Sequence, residues 1–294
     1  MSATSTESTR HLTTKSNAGA ATNLQADQRQ TTRRRTRRRL APGRPIPGYR
    51  LLGPVLLLAA WVVTSAVGIL DARTLSPPWT VVTTAGELIA DGRLQSNLTT
   101  SLTRAVIALV IGVAAGVVLA LAAGLSRIGE ALIDGPVQIK RAIPSLALIP
   151  LAIIWFGIGE GMKVTMIVLS VFVPVYINTH ASLRGIDSRY AELAETVGLR
   201  RWEFIWRVAL PGSLPGFFTG LRISVTVSWL ALVVVEQINA TSGIGYLMSQ
   251  ARNYGQTDVI VVGLVVYALF GLASDTFVRF VEGRVLSWRR TLAG

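Results

Sequence analysis

The chain has 294 residues, half of them apolar and 15% charged, with a formal net charge of +13. That leaves too little polar surface to cover the apolar fraction in water, which excludes an ordinary soluble globule and places the chain in a membrane. Cysteine is absent and the two histidines, His11 and His180, lie far apart, which excludes a disulfide framework, a thiol nucleophile and a Cys or His metal cluster. The positive charge would suit a nucleic acid, but it sits in a tail and in alternate loops, where membrane-orientation rules account for it without one.

Residues 1–50 are rich in Ser, Thr, Gln and Arg and lack a periodic apolar pattern, so they are expected to form a disordered, polybasic cytoplasmic tail. The run Arg33, Arg34, Arg35, Thr36, Arg37, Arg38, Arg39 is a topology signal, and it also suits anionic lipid headgroups. Leu51 to Leu70 supplies a first apolar segment of spanning length. Through residue 94 the chain is mixed: Pro77, Pro78 and Trp79 predict an extended start and an interfacial anchor, with a short helix after them.

Thr103 to Leu125 is the second predicted span. Ala108, Gly112, Gly116, Ala120 and Gly124 recur every four residues along it and so line one face, where another helix backbone can come close. Ile143 to Ile158 and Val164 to His180 are shorter apolar segments, interrupted by Pro144, Pro150 and Pro174, and each must borrow from its flanks or tilt. His180 is expected at a helix end near headgroups. Ser213 to Val235 and Val259 to Val281 complete six predicted spans.

Between the fourth and fifth spans lies YAELAETVGLRRWEFIWRVALP, residues 190–211, a polar amphipathic insert among hydrophobic segments. Asp187 or Ser188 caps a first short helix that Gly198 ends, and Trp202, Ile205, Trp206 and Ala209 recur at helical spacing up to Pro211. Of the 29 Lys and Arg, 23 fall in segments that share a side with this insert and five on the other, with Arg222 inside a span. By the positive-inside rule the insert and both termini are cytoplasmic.

Glu192, Ala194, Gly198, Leu210 and Pro211 match the EAA signature of bacterial ABC-importer permeases, with Leu193 in place of its first Ala and Val208 in place of its Ile. The resemblance covers about residues 95–282. Its finer features are PSLALIPLAIIWFGIGE from Pro144, NTHASLRGID from Asn178 and the stretch Thr241 to Leu247. These resemble the nitrate, sulfonate and taurine permeases, and pyrimidine thiamine-precursor permeases share much of the pattern.

The resemblance implies an all-α integral membrane protein of six transmembrane helices with type I, MetI-like architecture. It implies a transport domain over 95–282, a coupling segment at 187–211 and a cytoplasmic tail at 283–294. It further implies a homodimer in a bacterial cell membrane, a cytoplasmic ATPase subunit that receives the coupling segment, and an extracytoplasmic binding protein that delivers substrate.

No catalytic site is legible. The three lysines, Lys15, Lys140 and Lys163, never follow a glycine, so a phosphate-binding P-loop is excluded, and the resemblance puts ATP and magnesium on the partner ATPase. Arg222, the lone charge well within a predicted span, is a candidate for ion pairing or for guiding an anion. Glu236 and Gln237 begin a polar stretch that is a candidate external gate. Asn178 and Ser228, with Ser170, Ser224 and Thr226, are candidate pathway groups, although Ser and Thr in helices often bond their own backbone. A rival class, an ATP-independent channel or carrier, would call for an intramembrane acid or inverted repeats, and neither is legible.

Overall fold

The computed structural model describes residues 49–71 and 73–288. The polybasic run and the end of the C-terminal tail lie outside them. Apolar residues at helical spacing, with Gly and Pro between the runs, yield helices throughout: α1 Tyr49–Ala66, α2 Pro78–Ala90, α3 Arg93–Gly124, α4 Arg127–Ala142, α5 Ile149–Phe156 and α6 Glu160–Arg184. Then follow α7 Ser188–Thr196, α8 Arg201–Phe204, α9 Leu210–Asn239, α10 Ile244–Asn253 and α11 Thr257–Val285. A 3-10 turn, Ser145–Leu148, precedes α5, and a π-helical turn, Ile205–Ala209, joins α8 to α9. Among the described residues, those from 54 onward group as one compact unit.

Each of the six segments read as spans is helical. Among the described residues, four helices are long and apolar enough to cross a membrane: α3, α6, the continuous stretch Arg201–Ile238 and α11. The first segment is shorter than expected, ending at Ala66 rather than Leu70. Its 18 residues rise about 27 Å, just under the ~30 Å hydrocarbon core. The third expected span is corrected more strongly. Pro144 cannot continue α4, the helix restarts with Pro150 in its first turn, and Gly157 ends it at φ +71°. What remains, residues 145–156, is bent 90° from α4, the geometry of a broken span or a re-entrant loop and not of one straight crossing.

The bundle is built on α6, which packs most extensively against α3 and α9. Lipid offers helices no hydrophobic reward for associating, so close approach of backbones has to hold them together. The glycine face predicted on α3 provides it. A Cβ on Gly112 would lie 2.7 Å from Val171 Cγ1, and one on Gly116 would lie 2.8 Å from the carbonyl oxygen of Phe172. On α9, a Cβ on Gly220 would lie 2.7 Å from the carbonyl oxygen of Pro174. Met162, Met166, Ile167, Val171, Val175 and Tyr176 of α6 are buried in consequence. By contrast α1, α11 and the outer face of α3 expose rows of Leu, Val and Ile, as lipid-facing helices do.

Candidate functional site

One end of the bundle carries the elbow expected at residues 187–211. Asp187 caps α7, its carboxylate accepting from the backbone N–H of Arg189 at 3.0 Å and from the Arg189 guanidinium. That guanidinium first, and the backbone N–H second, hold the Asp187 carboxyl below its ordinary range. Beyond Thr196, Gly198 takes φ +75°. The N–H of Leu199 reaches the carbonyl of Ala194 at 2.9 Å and that of Gly198 the carbonyl of Glu195 at 3.0 Å, the paired bonds of a Schellman ending. Arg200 then opens α8, with its N–H on Glu203 Oε2 at 2.9 Å. Arg201 Nη2 donates to the carbonyl of Leu125 at 2.6 Å, fastening the elbow to the end of α3.

The two short helices meet at Gly198 as expected, but Pro211 does not stop the second. The π-helical turn at Ile205–Ala209 carries the chain past the proline, and one helix continues from Arg201 to Ile238. Tyr190, Leu193, Val197, Trp202 and Trp206 are exposed, with the two tryptophan rings edge to face at 5.4 Å. Glu192 is exposed beside them, whereas Ala194 is only 7% exposed and faces the body of the protein. Val208, Leu210 and Pro211 are half-buried where the elbow joins the bundle. Leu210 and Pro211 border an apolar groove of about 420 Å³ between α3, α6 and α9, with Trp206 and Phe217 among its other walls.

At the opposite end of α6, 25 residues or about 37 Å away, is a charged cluster that only partly showed in the sequence. Glu236 of α9 is fully buried. It accepts from Ser101 Oγ at 2.8 Å, Arg104 Nη1 at 2.7 Å, Tyr267 Oη at 3.0 Å and the N–H of Gly245 at 2.9 Å. The N–H groups of Gly243 and Ile244 are met by Asn97 Oδ1 and Ser101 Oγ, both at 2.8 Å. The start of α10 has no capping side chain of its own, since Gly243 stands there at φ +116°. Groups from α3 and α9 therefore satisfy its open donors, and the Glu236 carboxylate lies at the positive end of its dipole.

Arg104 also donates Nε and Nη2 to Glu160 at 2.5 and 2.6 Å and Nη1 to the carbonyl of Ser242 at 2.7 Å; Lys163 Nζ joins Glu160 at 2.8 Å. Glu236, expected to begin an external gate, is fully buried in this cluster, called the latch below. Arg104 and Glu236 together form a buried ion pair at 2.7 Å that no spacing in the sequence announced. Gln237, next to the latch, is half-buried.

The other candidates separate in the same way. Arg222 pairs with Asp275 at 3.4 Å and stands 4.0 Å from Glu282, both on α11, so it is not a free cation awaiting an anion. Asn178 Nδ2 bonds the Pro174 carbonyl at 2.9 Å and Ser228 Oγ bonds that of Val225 at 2.8 Å, each within its own helix. Ser170 and Thr226 do likewise, while Ser224 Oγ crosses to the Val171 carbonyl on α6 at 2.7 Å. His180 lies one turn from the end of α6, as expected, but is buried there, stacked on Tyr176 at 5.4 Å and 4.0 Å from Asp134. Arg104, Glu160, Lys163, Ser101 and Tyr267 were not singled out as site residues. The spacing Glu160–Lys163, one helical turn, was the available signal.

With this geometry in view, known proteins supply the comparison. Residues 108–287 match the family described as the binding-protein-dependent transport system inner membrane component. The chain belongs to that family. The expectation of an ABC-importer permease, a membrane-embedded and non-enzymatic subunit, is met by this match and by the family's curated members. A protein of Bacillus subtilis strain 168 named as an aliphatic sulfonates transport permease is 37% identical over 86% of this chain and 92% of its own. One of the same name from Escherichia coli K12 is 43% identical over 80% and 89%. The taurine transport system permease protein of Escherichia coli K12 is 34% identical over 79% and 86%. Among solved structures, the crystal structure of an amino acid ABC transporter with histidines aligns with a TM-score of 0.57 at 17% identity, covering 70% of this chain and 97% of the other, a likeness of fold.

Proposed function

We propose that this chain is the membrane-spanning subunit of an ATP-driven importer for small organic sulfonates, taurine among them, with nitrate as the related anion class. The observation that carries the reading is the elbow. A capped helix turns at a left-handed glycine into a second helix that runs on unbroken into the bundle, and the turn presents Leu193, Val197 and Trp202 outward. An apolar face on a rigid projection suits insertion into a groove of another subunit. The partner is a cytoplasmic ATPase, so Glu192, Leu193, Ala194, Gly198, Val208, Leu210 and Pro211 act in coupling. Residues 95–282 form the transport domain. Two copies enclose the route, the termini and the elbow face the cytoplasm, and an external binding protein delivers the solute at the latch end. The sulfonate class is supported by the names of the relatives at 37% and 43% identity.

The test is growth on defined sulfur sources. A strain lacking the gene is expected to grow on sulfate but not on ethanesulfonate or taurine, and the wild-type gene to restore growth. Gly198→Pro and Glu192→Lys are expected to insert normally and fail to restore uptake. Normal uptake by both variants would overturn the coupling role, and a deletion strain that still grows on every sulfonate would overturn the substrate class.

A further inference from the structure

The cluster at the latch end is more than a structural ion network, because its charges differ in how they meet solvent. The side chains of Arg104 and Lys163 are each 4% exposed, whereas that of Glu160, which touches both, is 60% exposed. Two buried cations are therefore covered by one outward-lying carboxylate. Arg104 is held from behind by Glu236 and by Ser242, whose carbonyl accepts from Nη1 and whose hydroxyl accepts from Nη2 at 3.2 Å, and the Nε–H with the second Nη2 hydrogen goes to Glu160. Glu160 is also the partner the structure gives Lys163 Nζ. Two cations and two carboxylates leave the cluster neutral. If Glu160 swings out, Arg104 and Lys163 face the opening it leaves with only the buried Glu236 beside them, an excess of one positive charge that favours an anion entering from that side.

We infer that the Nε and Nη2 edge of Arg104 together with Lys163 Nζ forms a subsite for the sulfonate group of the transported solute, and that Glu160 is a tethered carboxylate occupying it in the absence of substrate. A sulfonate is a monoanion with several acceptor oxygens. It can take both guanidinium bonds in the forked geometry that suits arginine, place a further oxygen on the ammonium, and restore neutrality as Glu160 does. The tether acts as an internal competitor at an effective concentration of about millimolar, so a solute binds only when delivered at high local concentration, as a docked binding protein would deliver it. Glu160 also opens α6, so its side chain can leave the cluster by rotating about its own bonds while the helix stays in place.

This inference rests on the sulfonate reading above, and the experiment separates the two. The permease, co-purified with its ATPase and held in lipid nanodiscs without nucleotide, is titrated with ethanesulfonate while its thermal unfolding is followed. Glu160→Ala is expected to bind ethanesulfonate at least about tenfold tighter than wild type. It is expected to regain, saturably, the unfolding temperature lost by the substitution, while chloride at equal ionic strength does not restore it. Adding Lys163→Met to that variant is expected to abolish the gain. Glu160→Gln, which keeps the shape and loses the charge, serves the same measurement where the alanine variant folds poorly. A folded Glu160 variant that binds ethanesulfonate no tighter than wild type, or is rescued equally by chloride, overturns the subsite. Growth of the wild-type strain on ethanesulfonate with either of those results leaves the transport reading standing and removes this one. Tighter binding in the variant with no growth of the wild-type strain on sulfonates upholds the subsite and removes the transport reading.

Discussion

Gly198 shows how much a single position decides at the elbow. No heavy atom lies within 4 Å of where a Cβ would sit, so space is not what demands glycine there; the demand comes from φ +75°. Alanine in that conformation costs about 1–2 kcal/mol. Gly198→Ala is therefore expected to leave insertion intact and lower uptake several-fold, with Gly198→Asn, which tolerates the left-handed region, in between; initial uptake rates in vesicles check the order. The cap on the same helix is robust toward acid. With its carboxyl held below the ordinary 3.8, Asp187 contributes fully above that value and loses its contribution only as pH falls further. Gly198 and Asp187 were legible because capping is local chemistry. Arg104 and Glu236 were not paired in advance, because 132 residues separate them and only the folded bundle brings them to 2.7 Å.

Among the elements, the three long helices α3, α6 and α9 behave as a glycine-cemented unit. Gly116→Leu and Gly220→Leu would force side chains into carbonyl groups of α6, overpacking that costs about 1–3 kcal/mol or more. A Cβ on Gly271 of α11 would have nothing within 4 Å, so Gly271→Leu starts into open space. The first two are expected to lower the unfolding temperature in detergent by several degrees and the third to leave it unchanged; equal behaviour of all three would refute the close-packing account. The face on α3 was readable from its spacing of four residues. The matching approach on α9 carries the same signal, since Gly212, Gly216 and Gly220 also fall four apart, although the prolines and phenylalanines between them mask it. The bend between α4 and α5 was hidden: Pro144 and Pro150 announce interruption, but proline alone does not say through what angle the chain turns.

For the whole molecule, the six apolar segments, the charge asymmetry and the elbow were all present in the sequence, and together they gave the all-helical architecture and the family. The burial of side chains around the elbow was not, and it decides which probes report on a docked partner. A cysteine at Leu193, 58% exposed, is expected to crosslink to an ATPase subunit in intact membranes, whereas one at Ala194, 7% exposed, is expected to react poorly. Capture from Ala194 in preference to Leu193 would mean that the elbow docks by its other face.

The unbroken helix from Arg201 to Ile238 has a mechanical corollary. At 38 residues it is a shaft of about 57 Å, with Trp202 at one tip and Glu236 near the other. The π-helical turn at Ile205–Ala209 and Pro215 beyond it are departures from plain α-helix along its length. Deleting a single residue between Ile205 and Ala209 would rotate everything downstream by about 100° and aim Glu236 away from Arg104, so the length of this short turn sets the angular register between the two ends.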